Sequence, residues 1–286
     1  VNCFFVSDLH GSITRYTRLF EAIHDETPDA VFIGGDILPS GLKAFFNRSG
    51  NHESFILDFI KPGLLKLRSM LNRDYPEVFM IPGNDDGRFE EAAMEDLENE
   101  GLWTCVHHRR VPFDDYTVYG YAFVPPTPFM LKDWERYDVS RYVDPGCVPP
   151  TRGMRSVPAA DEDIEFSTIK EDLRVLAGND SLDRSIFLFH SPPYQTHLDR
   201  AALDGRMIDH VPLDVHVGSI AIKKFIETRQ PMVTLHGHIH ESARITGHWL
   251  QQIGRTFAFT AAHDGPELAL VTFNPESPET ATRRLL

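Results

Sequence analysis

At 286 residues the chain has room for one large α/β domain or two small ones. With 42% hydrophobic and 24% charged residues it reads as globular, and no apolar run reaches the roughly 20 residues of a membrane span. Against 42 acidic residues stand 28 basic ones, a formal charge of −14, which counts against broad binding to polyphosphate backbones but not against a small anion held by metal.

Cys3, Cys105 and Cys147 are odd in number and lack metal-type spacing, so no disulfide framework is expected. A strand opens the sequence at once, with no secretory n-region and h-region before it. These readings lead us to expect a cytoplasmic protein with no membrane attachment and no long nucleic acid as partner.

Cys3 to Val6 is a short β-prone run and reads as a buried strand, followed directly by Ser7-Asp8-Leu9-His10-Gly11. In extended backbone, residues two apart share a face. Asp8 and His10 are therefore expected to project together from the strand's carboxyl end, where open α/β sheets bind ligands. Oxygen and nitrogen donors side by side suit Mn²⁺, Fe or Zn²⁺ better than Mg²⁺ or Ca²⁺. Ile13, Tyr16, Leu19, Phe20 and Ile23 then recur at helical spacing behind an N-cap at Ser12, and Pro28-Asp29 ends that helix.

Ala30 to Ile33 is a second buried strand, ending in Gly34-Gly35-Asp36. Residues 37–51 read as loop, and Ser54 to about Leu71 as a helix bent at Pro62-Gly63. Val78 to Ile81 forms a third strand, ending in Pro82-Gly83-Asn84-Asp85-Asp86, and a Glu- and Ala-rich helix covers about Phe89 to Asn99. Short β-like runs follow around Trp103–Val106 and Tyr116–Phe123.

From Val124 to about Ala160 prolines are frequent and periodicity is lost. Long irregular segments inside compact domains are commonly functional. The aromatics here favour an ordered flap over the site rather than a linker, so we expect one domain over 1–286 with a flap or insertion at 124–160. Arg152 and Arg155 within it could meet a second phosphate or a carboxylate, or be surface charge. The exposed-looking Phe129 and Met130 could face substrate or another subunit, so oligomeric state stays open.

A helix is expected around Asp163–Leu176, opened by Asp161-Glu162-Asp163, acids that suit a helix N-terminus. Ser185 to Phe189 is a strand ending in His190, Ser219–Thr228 is a helix, and Pro231 to Leu235 is a strand ending in His236-Gly237-His238-Ile239-His240. Two more β-like runs, Thr256–Thr260 and Leu268–Phe273, close the sequence.

Five apolar strands thus end in metal-capable residues: Asp8 and His10; Asp36; Asn84; His190; and His236, His238 and His240. Each ending alone is ordinary, but five at equivalent positions, expected along one edge of a sheet, point to a metal site.

In order and strand context, Asp8-x-His10, Gly35-Asp36, Gly83-Asn84, His190 and Gly237-His238-x-His240 resemble the five blocks of the calcineurin-like metallophosphoesterases. The resemblance implies a four-layer α/β/β/α sandwich with two mixed β-sheets and flanking helices. It implies hydrolysis of phosphate esters or anhydrides at two divalent metal ions, through a metal-bridging hydroxide. Mn²⁺ is the expected metal, with Fe, Zn²⁺ or Ni²⁺ as alternatives. Carried over residue by residue, Asp8, His10 and His240 hold one metal, Asn84, His190 and His238 the other, and Asp36 bridges them. Asp85, Asn84 and His238 are the residues expected nearest the chemistry. Paired metals about 3.5–4 Å apart acidify a shared water and clamp the phosphoryl oxygens.

One block departs from the family pattern. Its usual Gly-Asn-His-Asp or Gly-Asn-His-Glu is here Gly83-Asn84-Asp85-Asp86, and the missing His is the residue that serves the leaving group. Asp85 is a poorer donor at neutral pH unless burial raises its pKa. A small phosphodiester, cyclic nucleotide or phosphoanhydride is therefore the expected substrate, with a phosphomonoesterase or a turnover-free scaffold as alternatives. Gly50-Asn51-His52-Glu53 spells the usual block letter for letter, but no convincing strand precedes it, and we assign Asn84. His52 is a candidate substitute acid, His236 a core or supporting residue, and His197 and His263 surface histidines or substrate donors.

Overall fold

A computed structural model of the chain describes residues 1–46 and 54–286; Asn51 and His52 lie outside the described residues. The strands are, in order, β1 (Cys3–Val6), β2 (Ala30–Gly34), β3 (Glu77–Ile81), β4 (Thr104–Cys105), β5 (Arg110–Phe113), β6 (Tyr116–Tyr121) and β7 (Ser185–Phe189). They continue with the small hairpin β8 (Met207–Ile208) and β9 (Val211–Pro212), then β10 (Val233–His236), β11 (Leu250–Ile253), β12 (Thr256–Thr260), β13 (Ala269–Phe273) and β14 (Thr282–Leu285). The helices are α1 (Ile13–Glu26), α2 (Gly41–Phe46), α3 (Lys61–Leu71), α4 (Glu91–Asn99), α5 (Asp161–Phe166), α6 (Ile169–Ala177), α7 (Ile220–Arg229) and α8 (Ser242–Thr246).

Among the described residues the strands build two mixed six-stranded sheets, ordered β14-β13-β1-β2-β3-β4 and β11-β12-β10-β7-β6-β5. Strand alternation sorts the side chains of the first sheet. Phe5, Phe32 and Phe79 turn inward and join residues of the second sheet in one core, with Phe79 and Phe113 at 5.6 Å between ring centres. Phe4, Val31 and Val78 turn outward and are covered by Leu19 of α1, Leu64 and Leu67 of α3, and Met94 of α4. On the second sheet, α6 and α7 bring Leu173, Ile222 and Phe225, the last 5.1 Å from Phe187. The layers therefore run helix, sheet, sheet, helix, as expected.

The expectation of a single sheet edge is corrected. Strands β1, β2 and β3 belong to one sheet and β7 and β10 to the other, so the five chemical strand ends meet across two facing sheets. Parallel pairing of β1, β2 and β3, and of β7 and β10, directs the carboxyl ends within each sheet the same way.

Other differences have local causes. Part of the expected loop at 37–51 is α2, and the expected helix at 163–176 is two helices, with Thr168 capping the second through the Glu171 N–H. Before Pro62 the chain widens into a π-helical turn over Ile56–Ile60, where Lys61 N–H bonds the Ile56 carbonyl. Proline has no N–H to give and crowds the carbonyl four residues back, and the wider turn absorbs both effects. Strands β5, β8, β9, β11 and β14 were not expected. The β-like run at Trp103–Val106 shortens to Thr104–Cys105.

The segment 124–160 is irregular but tied down at many points. Lys132 N–H bonds the Met154 carbonyl, Asp133 accepts from the Arg88 and Ser156 amides, and buried Lys132 pairs with buried Glu135. Asp138 reaches the second sheet's side, accepting from Ser219 Oγ at 2.6 Å and from the Ile220 N–H at 2.7 Å at the start of α7. The segment thus spans from the turn after β3 to the N-terminus of α7.

Candidate metal centre

The strand ends turn sharply to bring their side chains together. Asp8 (φ 57°), His10 (φ 46°), Asp36 (φ 50°) and His238 (φ 74°) all adopt left-handed backbone, which is uncommon for residues other than glycine and gathers at functional sites. Asp8 and His10 do share a site, but through these turns and not through the alternation of an extended strand. Glycines make room. A Cβ on Gly83 would stand 2.3 Å from both the Asp36 amide nitrogen and its Oδ1, and one on Gly237 would stand 2.0 Å from Ser7 Oγ.

Two groups of donors result. Asp8, His10, Asp36 and His240 offer atoms within 4.8 Å of one another, and so do Asp36, His190 and His238. Asp36 belongs to both. His10 Nε2 lies 3.1 Å from His240 Nε2, and His240 Nε2 lies 3.2 Å from Asp8 Oδ1. In the second group His190 Nε2 is 3.4 Å from Asp36 Oδ2 and 3.1 Å from Asn84 Oδ1. All seven residues expected as metal ligands therefore meet at the shared end of the two sheets.

Neighbours fix these donors in place. His190 Nδ1–H donates to the Gly34 carbonyl at 2.7 Å, which aims Nε2 into the cluster. Ser7 Oγ donates to Asp8 Oδ2 at 2.6 Å, and the His238 amide donates to the same carboxylate. Arg15 Nη1 holds the Asp8 carbonyl at 2.5 Å and Nη2 the Gly265 carbonyl.

Asp86, fully buried, accepts from the Gly83, Ile37 and Leu38 amides and so ties the Asp36 turn to the Asn84 turn. Burial and the Asp36 charge push its carboxyl up to about 7, against the pull of those amides. Neither Asp86 nor Arg15 was expected at the site. For Arg15 there was a signal, a cation in the first turn of a helix, where the macrodipole disfavours it.

Electrostatics fit a cation site. Asp8 and Asp36 are buried, and among the described residues no Lys or Arg pairs with either carboxylate; imidazoles alone do. Burial raises both acids, but the surrounding histidines outweigh it and hold Asp36 at about 2 and Asp8 lower still. Burial lowers His10 and His190, yet Asp85 and Asp36 at the first and Asp36 and Asp8 at the second lift each to about 9. For His238 burial prevails, with the charge of His190, and its pKa falls to about 3. Two buried carboxylates balanced by protonated rings are a donor set in which metal ions can replace protons. With nitrogen and oxygen donors mixed, the set suits Mn²⁺, Fe or Zn²⁺.

His236 is buried, with Nδ1 on the Ser191 carbonyl and Nε2 on Thr234 Oγ1, so it supports the strand end and has no donor left for a metal. His263 pairs with Glu267 on the surface, and His197 stacks on His248. Asp85 has 31% side-chain exposure, lies 3.6 Å from His10 Nδ1, and gives its amide to Asp36 Oδ1.

A paired-sheet sandwich with an Asp, His and Asn cluster at the common strand ends defines a metal-dependent hydrolase. The chain belongs to the calcineurin-like phosphoesterase family, whose profile matches residues 2–242. It is a phosphate-ester hydrolase of a family that works with paired metal ions. In fold it is similar to TT1561 of Thermus thermophilus, at 15% identity and a TM-score of 0.56, over 99% of this chain and 98% of that one. A second solved chain matches at 15% identity and a TM-score of 0.58, with the same coverage. Comparison with curated proteins gave no match.

Proposed function

We propose that this protein is a two-metal phosphodiesterase acting on a small phosphodiester, cyclic nucleotide or phosphoanhydride. The observation that carries the reading is the sharing of Asp36 between two donor groups. Asp8, His10 and His240 would hold one metal, His190, His238 and the Asn84 carbonyl the other, with Asp36 between them and Mn²⁺ the foremost ion. Bound there, the pair would acidify a water and neutralise phosphoryl charge. Asp36 would serve both positions, its Oδ2 facing His10 and His190 alike while Oδ1 accepts the Asp85 amide, His190 is held in one tautomer by the Gly34 carbonyl, and Asn84 adds a donor without adding negative charge.

Asp85, in place of the family's histidine, would orient His10 and leave the departing oxygen without a strong acid. Good leaving groups are then favoured, which supports diester or anhydride over unactivated monoester. The segment 124–160 would form a wall of the cleft within a single domain. Three free thiols accord with the reducing cytoplasm we propose. Among the described residues no helix is long and apolar enough to cross a membrane.

Hydrolysis of bis-p-nitrophenyl phosphate and p-nitrophenyl phosphate, by chelator-treated enzyme before and after Mn²⁺ addition, tests the reading. Restored cleavage is expected, faster on the diester. Faster monoester cleavage would reverse the substrate assignment.

A further inference from the structure

Behind the 124–160 segment lies a polar cavity of about 20 Å³, lined by Arg88, Lys132, Arg136 and Arg155 together with Asp133 and Asp163. None of the metal-centre residues lines it. Through Arg155, Ala159 and Ile164 it borders an open groove of about 730 Å³, walled by Gly153, Val157 and Pro158.

The acids around the small cavity are already engaged. Glu135 pairs with Lys132 and accepts from Thr127, and Asp163 takes Arg136 Nη2 at 2.8 Å. Asp133 accepts from the Arg88 and Ser156 amides and the Ser156 hydroxyl.

Two of the cations are less fully engaged. Arg155 is part-buried and gives one N–H to the Pro150 carbonyl at 2.8 Å; among the described residues no carboxylate lies within ion-pair distance of it. Arg88 uses Nε for Glu91 and rests over the Trp134 ring, which leaves its terminal nitrogens without an acceptor among the described residues. Burial lowers the Arg155 pKa, the mark of a guanidinium removed from water without full compensation. Unmatched donors of this kind cost free energy until water or an anion takes them, and a guanidinium fork matches phosphate and carboxylate oxygens.

We propose that Arg88 and Arg155 form a binding site for the oxyanion group, phosphate or carboxylate, of a small organic molecule whose remainder lies in the adjoining groove. At about 20 Å³ the small cavity has the space of a water or of an oxyanion's leading oxygen, since one water needs at least about 10–15 Å³. The groove leaves room for a body that the cavity could not admit. This site does not depend on the phosphodiesterase reading, because no metal-centre residue takes part.

The test is isothermal titration of the purified protein with inorganic phosphate and, separately, with sodium benzoate, at constant ionic strength. Saturable binding of one of them is expected, kept in Asp36→Asn and weakened about tenfold or more in Arg155→Met, and likewise in Arg88→Met, whose side chain is the easier to replace. Phosphate binding alone assigns a phosphate ligand, and benzoate binding alone a carboxylate. No saturable binding of either, or equal affinity in both arginine variants, would overturn the site. Binding lost in Asp36→Asn but retained in the arginine variants would place the anion at the metal centre and also overturn it.

Discussion

Asp36→Asn is expected to lose both metal ions together and to lower kcat/KM by about 10²–10³-fold, the scale of removing one group that organises charge in the transition state. Asp36 is the member common to the two donor groups, with Oδ2 at 3.7 Å from His10 Nε2 and 3.4 Å from His190 Nε2. An amide keeps the shape but carries no negative charge, and a neutral oxygen between two cations holds them far less well. The amide also removes one charge that His10 and His190 share, beside Asp85 at the first and Asp8 at the second, so the two groups should weaken together. Elemental analysis of the purified variant beside its steady-state kinetics checks this. Full metal content with an undiminished rate would remove Asp36 from its bridging position.

Asn84→Ala is expected to cost about 10²-fold in turnover, while Asn51→Ala changes it little. The two asparagines sit in near-identical local strings, Gly83-Asn84-Asp85-Asp86 and Gly50-Asn51-His52-Glu53, and only the first follows an apolar run that reads as a buried strand, which the structure shows as β3. Asn84 is 6% exposed, and its Oδ1 lies 3.1 Å from His190 Nε2. Parallel kinetics of the two variants with bis-p-nitrophenyl phosphate decide the matter. A larger loss in Asn51→Ala would show that the motif's letters outweigh its strand context.

The comparison of those two strings shows what could be read from the letters and why. Short apolar runs such as Val31-Phe32-Ile33 and Ile186-Phe187-Leu188, each closed by a polar turn, mark strands buried on both faces, and their endings marked the donors. Which sheet a run joins is not written in it, because a parallel buried strand is apolar on both faces whichever neighbour it pairs with. Hence β7 and β10 were expected beside β1 to β3 and stand instead in the facing sheet.

The left-handed turns at Asp8, His10, Asp36 and His238 were equally hidden: Asp and His adopt positive φ more readily than most residues, but the letters do not say which of them will. Edge strands β11 (Leu250-Gln251-Gln252-Ile253) and β14 (Thr282-Arg283-Arg284-Leu285) escaped notice because polar residues interrupt each, as suits a sheet edge. Asp86 stands in the sequence only as the last letter of Gly83-Asn84-Asp85-Asp86, with no role read for it. Only its three amide partners, drawn from two separate turns, disclose what it does.

The proposed function requires a paired metal site centred on Asp36. Electron paramagnetic resonance of the protein reconstituted with two equivalents of Mn²⁺ tests that directly. An exchange-coupled pair is expected, because both ions would share the Asp36 carboxylate. A spectrum of isolated Mn²⁺ ions alone, at every loading up to two equivalents, would contradict the shared site.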